Sequence, residues 1–244
     1  MVERGYPRAI LFDLDDTLIS FDRASDIAWE RLCGRYVAEC APEFAPEDLL
    51  AAITRQRRWF WGDPERHRTG RMDMHGARRT IIIGALRTLE VADTSCADRL
   101  ASLFTVEQEA GIDLFPDTLP TLEKLTARGV RMAILTNGTV AVQQAKIDRF
   151  GLARLFECIL IEEAVGAGKP DRRMYDVALE KLRIPASDVW MVGDNLVWDV
   201  AGAQRVGIRS VWFDVKGGGL PRDSEIRPDR IIRSATELLE EPQT

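Results

Sequence analysis

The chain has 244 residues, 45% hydrophobic and 30% charged, the balance of a soluble globular protein with length for one large domain or two modest ones; we read two. A net charge of −6 supplies no cationic footprint for nucleic acid, and no apolar run is long enough to span a membrane. Cys33, Cys40, Cys96 and Cys158 show no Cys-x-x-Cys spacing and read as reduced, partly buried small hydrophobes, while the short Met1–Gly5 stretch and the apolar run that stops at Asp13 make no signal peptide, so a cytoplasmic location is expected.

Ala9-Ile10-Leu11-Phe12 predicts a parallel strand buried on both faces, ending at Asp13-Leu14-Asp15-Asp16-Thr17-Leu18. From Asp22 to about Glu109 the pattern is helical, with Ile27, Trp29, Leu32, Tyr36 and Val37 recurring every three or four residues. Ala41-Pro42-Glu43 breaks the first helix, Pro46-Glu47-Asp48 opens the next, Gly62-Asp63-Pro64 signals a turn, and a second helical hairpin runs through Ile81 to Val91. At Phe115-Pro116-Asp117 an alternation of helix and strand resumes. A helix carrying Leu119, Leu122 and Leu125 leads into the strand Val130–Leu135, then a helix Val140–Phe150 and a strand Cys158–Ile161. A helix Arg173–Leu182, a strand Val189–Val192, a helix Val200–Val206 and a strand Ser210–Phe213 complete the series. This alternation specifies an α/β fold, a doubly wound parallel sheet. The helical block is then an insertion after the first strand, giving a core of residues 1–20 and 113–244 and an all-α cap of 21–112. Gly217-Gly218-Gly219 reads as a flexible turn, because no helix with a phosphate-loop signature follows it.

Strand ends in such a sheet carry its ligands. Asp13 and Asp15, two apart, lean to the same side of extended backbone, and their repulsion calls for a divalent cation or a shared proton. The second strand ends in Thr136-Asn137-Gly138, a hydroxyl and backbone N–H groups at a helix start, suited to an anionic oxygen. Gly168-Lys169-Pro170-Asp171 offers a lysine point charge for phosphate, and Gly193-Asp194-Asn195 is followed by Asp199. Taken singly these are a solvated acidic loop, an N-cap, an exposed lysine and helix-start acids. Together they bring a nucleophile, a second acid, a hydroxyl, a cation and metal-binding carboxylates to one edge.

In this order the residues resemble the four motifs of the haloacid dehalogenase superfamily, over Arg8 to about Asp214. The resemblance implies a Rossmann-like core in which Asp13 attacks phosphorus to form an aspartyl-phosphate, and Asp15 protonates the leaving alkoxide and then activates water. It implies one Mg²⁺ held by the carboxylates of Asp13 and Asp194 and the backbone carbonyl of Asp15, with Asp199 supporting through water. Thr136, Lys169 and the N–H groups of Leu14, Asn137 and Gly138 would hold the phosphoryl oxygens, and Lys169 would keep Asp13 ionised. Metal-free 2-haloacid dehalogenases lack the second acid of the first motif, so Asp15 disfavours that chemistry; phosphonate cleavage needs a cap lysine, and the first lysine here is Lys124. A phosphomutase shares all four motifs, and a phosphate-binding regulator would have lost a catalytic carboxylate, whereas all are present. The expectation is therefore an Mg²⁺-dependent phosphomonoesterase acting on a small phosphorylated metabolite, as a monomer or homodimer.

The cap placed after the first motif, with the run Glu162-Glu163-Ala164-Val165-Gly166, resembles the helical-cap (C1) subfamily of small-molecule phosphatases for phosphoglycolate, N-acylneuraminate or nucleotides. Within the cap, Arg55, Arg57, Arg58, Arg66, Arg68, Arg71, Arg78 and Arg79 outnumber Asp63, Glu65 and Asp73, with His67 and His75 nearby. They read either as a basic roof for an anionic substrate or as solvated faces paired with acids. Trp59, Phe60 and Trp61 read equally as a stacking wall or as packing, and Phe21, Asp22 and Arg23 as a hinge or rim at the cap entrance.

Overall fold

The computed structural model describes residues 5–40 and 43–240, so the expected break at Ala41-Pro42 and most of the Met1–Gly5 stretch lie outside the described residues. In chain order, β1 (Ala9–Phe12) is followed by five helices, α1 (Phe21–Cys40), α2 (Pro46–Trp61), α3 (Pro64–Gly70), α4 (Met74–Thr88) and α5 (Ala97–Gly111). Then come α6 (Thr118–Ala127), β2 (Arg131–Thr136), α7 (Val140–Arg149), β3 (Cys158–Ile161), α8 (Glu162–Val165) and α9 (Arg172–Leu182). β4 (Val189–Gly193), a π-helical turn Leu196–Ala201, α10 (Gly202–Gln204), β5 (Arg209–Phe213) and β6 (Arg230–Ile232) complete the fold. The chain divides into two compact units, Met1–Ser20 with Leu114–Thr244, and Phe21–Asp113.

In the first unit six strands form one sheet in the order β3-β2-β1-β4-β5-β6, every pair parallel. The doubly wound α/β fold read from the alternation is therefore the observed one. β1 lies between β2 and β4, with Phe12 level with Ile134 and Val192, so the strand order reverses direction at the point where Asp13 emerges. Ala9, Ile10, Leu11 and Phe12 are all buried, as a strand covered on both faces requires. Ala9, Leu11, Ala133, Leu135 and Met191 pack with Met174, Tyr175, Ala178 and Leu182 of α9. Where the chain leaves and re-enters this unit, the Leu18 carbonyl accepts from Phe115 N at 3.2 Å and from Thr118 Oγ1 at 2.9 Å.

Two elements differ from the sequence expectation. The helix expected over Val200–Val206 starts at Leu196, because Asn195 Oδ1 accepts from Val197 N and Trp198 N, both at 3.0 Å, and opens a helical turn well ahead of the expected start. The sequence pattern does not predict β6, which is three residues long, too short for period-two alternation to register. Cys33 is buried as anticipated, but Cys40, the last residue of α1, is exposed.

Among its described residues the second unit holds helices and no strand. Its core joins Trp29, Leu32 and Tyr36 of α1 to Leu49, Ile53 and Phe60 of α2, Ile81, Ile82 and Leu86 of α4, and Phe104 of α5. The Trp29 and Phe104 rings stack with centroids 3.9 Å apart. Most arginines of the basic stretch are engaged locally: Arg57 pairs with Asp26 at 2.9 Å, Arg79 with Asp98 at 2.9 Å, and Arg68 with Glu65 at 2.5 Å. Arg66 lies over the Trp59 ring, 4.1 Å from its centroid, and donates to the Trp59 carbonyl. Arg78 is buried and donates to Thr105 and Gln108; burial pushes its guanidinium down to about 10. For Arg57, Arg68 and Arg79 the pairing with acids holds, whereas Arg78 is neither solvated nor paired with an acid but buried against neutral side chains. Phe60 is buried and packs edge-on against Trp61, whereas Trp59 is 51% exposed.

Candidate active site

The acids of the first motif sit in a tight turn just past β1. Asp13 N continues the sheet by donating to the Val192 carbonyl at 2.9 Å, after which Leu18 N returns to the Leu14 carbonyl at 2.9 Å. Asp16 closes the turn with φ of 57°, a left-handed value that Asp tolerates better than most residues. Thr17 Oγ1 donates to Asp13 Oδ2 at 3.3 Å.

Lys169, 2% exposed, reaches into the centre of the site. Its ammonium lies 2.5 Å from Asp13 Oδ1 and 2.6 Å from Asp199 Oδ1. The backbone around it is fixed by Asn137, whose Oδ1 accepts from Lys169 N at 2.7 Å and whose Nδ2 donates to Lys169 O at 2.9 Å. Asn137 thus holds the lysine loop as well as starting the segment after β2. The other oxygen of Asp199 accepts from Asn195 N at 3.0 Å, which leaves both its oxygens committed. Asp194 hangs from the end of β4, its carbonyl accepting from Trp212 Nε1 at 2.7 Å.

Among the described residues, Asp13, Asp194 and Asp199 each present a carboxylate oxygen, all within 4.8 Å of one another. Burial, with the Asp199 and Asp15 charges adding and Lys169 opposing, pushes the Asp13 carboxyl up to about 7. Burial and then Asp13, Asp199 and Asp16 hold Asp194 well above the usual carboxylate range. Burial alone would pull Lys169 down; its two carboxylates outweigh that, and it is displaced upward. One lysine does not neutralise this set, and an all-oxygen donor set with excess negative charge fits a hard divalent cation.

Of the phosphoryl donors expected from the sequence, Thr136 stands buried at the end of β2 with its hydroxyl hydrogen free to donate, since its oxygen accepts from Gln143 Nε2. Leu14 is buried within the turn. The Gly138 amide is already taken: it donates to Glu162 Oε2 at 2.9 Å, and Val140 N donates to Glu163 Oε2 at 2.7 Å. The two glutamates after β3 therefore cap α7, a role that their place in the sequence does not suggest. The Gly138 amide expected to bind a phosphoryl oxygen is thus engaged by Glu162 in this structure.

Gly193 packs directly against Asp199, since a Cβ there would fall 2.2 Å from Asp199 Cγ. Gly193→Ala is expected to displace that carboxylate, lower stability by about 1–3 kcal/mol and cut turnover severely. Gly34→Ala in α1, where nothing lies within 4 Å, should be neutral or stabilising by about 0.5–1 kcal/mol. Thermal melts and initial rates of both variants check the contrast.

A haloacid dehalogenase-like hydrolase family model matches residues 7–207, and the chain belongs to that family. It is an enzyme of hydrolytic type, and phosphatases are among its relatives. A phosphoserine phosphatase of Thermus thermophilus is 39% identical over 142 residues, 58% of this chain and 56% of that protein. A ribulose-1,5-bisphosphate 5-phosphatase of Halopiger xanaduensis is 31% identical over 231 residues, 94% of this chain and 91% of that protein. Among solved structures, a magnesium-bound putative hydrolase of the family, YfnB from Bacillus subtilis, superposes with a TM-score of 0.73 at 25% identity, covering 96% of this chain and 97% of the other. A 2-haloacid dehalogenase from Pseudomonas syringae gives a TM-score of 0.60 at 30% identity, with 96% of each chain covered. Among the described residues no helix is long and apolar enough to cross a membrane.

Proposed function

We propose that this enzyme is a Mg²⁺-dependent phosphomonoester hydrolase that acts on a small phosphorylated metabolite through an aspartyl-phosphate on Asp13. The observation that carries the reading is the convergence of Asp13 and Asp199 on the buried Lys169, with Asp15 two residues beyond the nucleophile. Asp15 also disfavours dehalogenase chemistry, since the resemblance implies that metal-free dehalogenases lack this second acid.

The Asp13 carboxylate attacks phosphorus while the bond to the leaving oxygen breaks, and Asp15 gives its proton to the departing alkoxide. Thr136 Oγ1–H, Asn137 N–H, Leu14 N–H and the Lys169 ammonium hold the phosphoryl oxygens as charge shifts between them. Water then adds to phosphorus, Asp15 takes its proton, and the acyl-phosphate bond opens to release phosphate and restore the Asp13 carboxylate. The Asp13 and Asp194 carboxylates with the Asp15 carbonyl would hold Mg²⁺, with the buried Asp199 in an outer supporting place. When bound, the ion supplies positive charge that offsets the carboxylates and the phosphoryl group.

The test is phosphate release from a panel of phosphorylated sugars, nucleotides and small acids, with Mg²⁺ or EDTA, and with 2-chloropropionate included to detect halide release. Mg²⁺-dependent phosphate release supports the reading. Halide release, or conversion of a sugar phosphate to its isomer without free phosphate, replaces it with a dehalogenase or a mutase.

Stability supplies a second check. The Asp13 carboxyl lies at about 7 in the folded protein against an ordinary 3.8, so the metal-free protein binds this proton more tightly when folded. Its contribution is complete below the ordinary value and is lost as pH rises through about 7, so the EDTA-treated protein should melt progressively lower over that interval. Added Mg²⁺ should raise the melting temperature more at about pH 8 than at about pH 5, where protons compete for the ligands. An equal gain at both pH values contradicts the assigned ligands.

A further inference from the structure

On the segment that follows the second motif, α7 buries two polar residues beside Ile147 while leaving two valines partly exposed. Val140 and Val142 are 37% and 40% exposed, while Gln143 and Lys146, three residues apart on one face, are 2% and 9% exposed. Burying an amide and an ammonium is unfavourable unless each is fully bonded. Both are bonded to the acid of the first motif. Lys146 Nζ lies 2.7 Å from Asp15 Oδ1 and 2.9 Å from Oδ2, and also donates to Gln143 Oε1 at 2.8 Å. Gln143 Nε2 donates to Asp15 Oδ2 at 3.1 Å and, through its other hydrogen, to Thr136 Oγ1.

We propose that Lys146, seconded by Gln143, is the positioning residue of Asp15: it fixes the orientation in which that carboxylate meets the leaving oxygen and ties it to the Thr136 hydroxyl that faces the phosphoryl group. A carboxylate on two rotatable bonds has several staggered orientations. Contacts to both oxygens of the ionised carboxylate, from donors on one rigid helix, leave one of them; when Asp15 carries the proton it gives to the leaving oxygen, one oxygen becomes the donor and the other keeps the helix contacts. The Asp15 side chain remains 27% exposed, so it is held without being sealed away. A buried ion pair adds little to stability compared with apolar packing, which makes fold maintenance a poor reason for a lysine at this position. Misplacing a reacting group by about 1 Å can cost about a hundredfold in rate.

The proposal rests on the phosphatase reading, and its test separates the two. Aryl phosphates expel a stable aryloxide that needs no proton, whereas alkyl phosphates need the acid. Lys146→Met is expected to lower kcat/KM about 10- to 100-fold on the best alkyl phosphate and less than about threefold on p-nitrophenyl phosphate. Gln143→Leu should act in the same direction more weakly, and Lys146→Arg should recover part of the alkyl activity. In an Asp15→Asn background, Lys146→Met should add nothing further. Equal losses on the two substrates, or a full additional loss in the Asp15→Asn background, overturn the positioning role. A wild-type chain that releases no phosphate from any substrate overturns the reading beneath it before any variant is made.

Discussion

Asp13→Asn is expected to abolish phosphate release, a fall of about 10⁴-fold or more, while leaving the protein folded. The amide oxygen is not a nucleophile toward phosphorus, and no other carboxylate can take over. Asp199 is only 1% exposed against 8% for Asp13, and Asp15 is held through both oxygens by Lys146 and Gln143. Folding should survive because Lys169 keeps its 2.6 Å contact to Asp199, and because the substitution removes one buried charge from a set already too negative. Steady-state phosphate release together with a thermal melt measures both halves. A variant that keeps more than a few per cent of the wild-type rate would place the nucleophile elsewhere.

Lys169→Met is expected to be the most damaging substitution for stability as well as for turnover. The ammonium is 2% exposed and lies within 2.6 Å of two carboxylates, so its loss leaves two buried negative charges uncompensated. Breaking a buried pair from one side costs about 3–5 kcal/mol. Lys169→Arg should not rescue, because a larger planar fork replaces a compact point charge at a position only 2% exposed. The double variant Lys169→Met with Asp199→Asn should be more stable than Lys169→Met alone, since it removes one of the orphaned charges. If the single variant melts within a degree or two of wild type, the lysine is not balancing those acids.

Much of the catalytic edge was legible because several of its parts follow directly on a strand, and apolar runs that stop at polar residues are visible in one dimension. Asp13, Thr136 and Asp194 stand out in this way, and the parallel sheet follows from the alternation around them, though not its strand order. What stayed hidden depends on side chains meeting across elements. Glu162 and Glu163 read as part of a run before Lys169, yet their carboxylates cap Gly138 N and Val140 N from a neighbouring strand end. Gln143 and Lys146 look like ordinary polar helix residues. The available signal was their three-residue spacing beside Ile147, which puts two polar groups on the face that burial selects. In the cap, the arginine count predicts a charged stretch, but the partners Asp26 and Asp98 lie on other helices, so pairing could not be told from display.

Covalent phosphorylation of Asp13 is the claim on which the rest depends. The most direct measurement is rapid acid quenching of the enzyme during turnover of its best phosphomonoester, followed by digestion and mass spectrometry to locate a phosphoryl group that hydroxylamine removes. Nucleophilic attack by Asp13 predicts a single acyl-phosphate on the peptide containing that residue, absent from Asp13→Asn and accumulating in Asp15→Asn if water activation becomes slow. Steady phosphate release with no trapped adduct, or an adduct on any other residue, would contradict it.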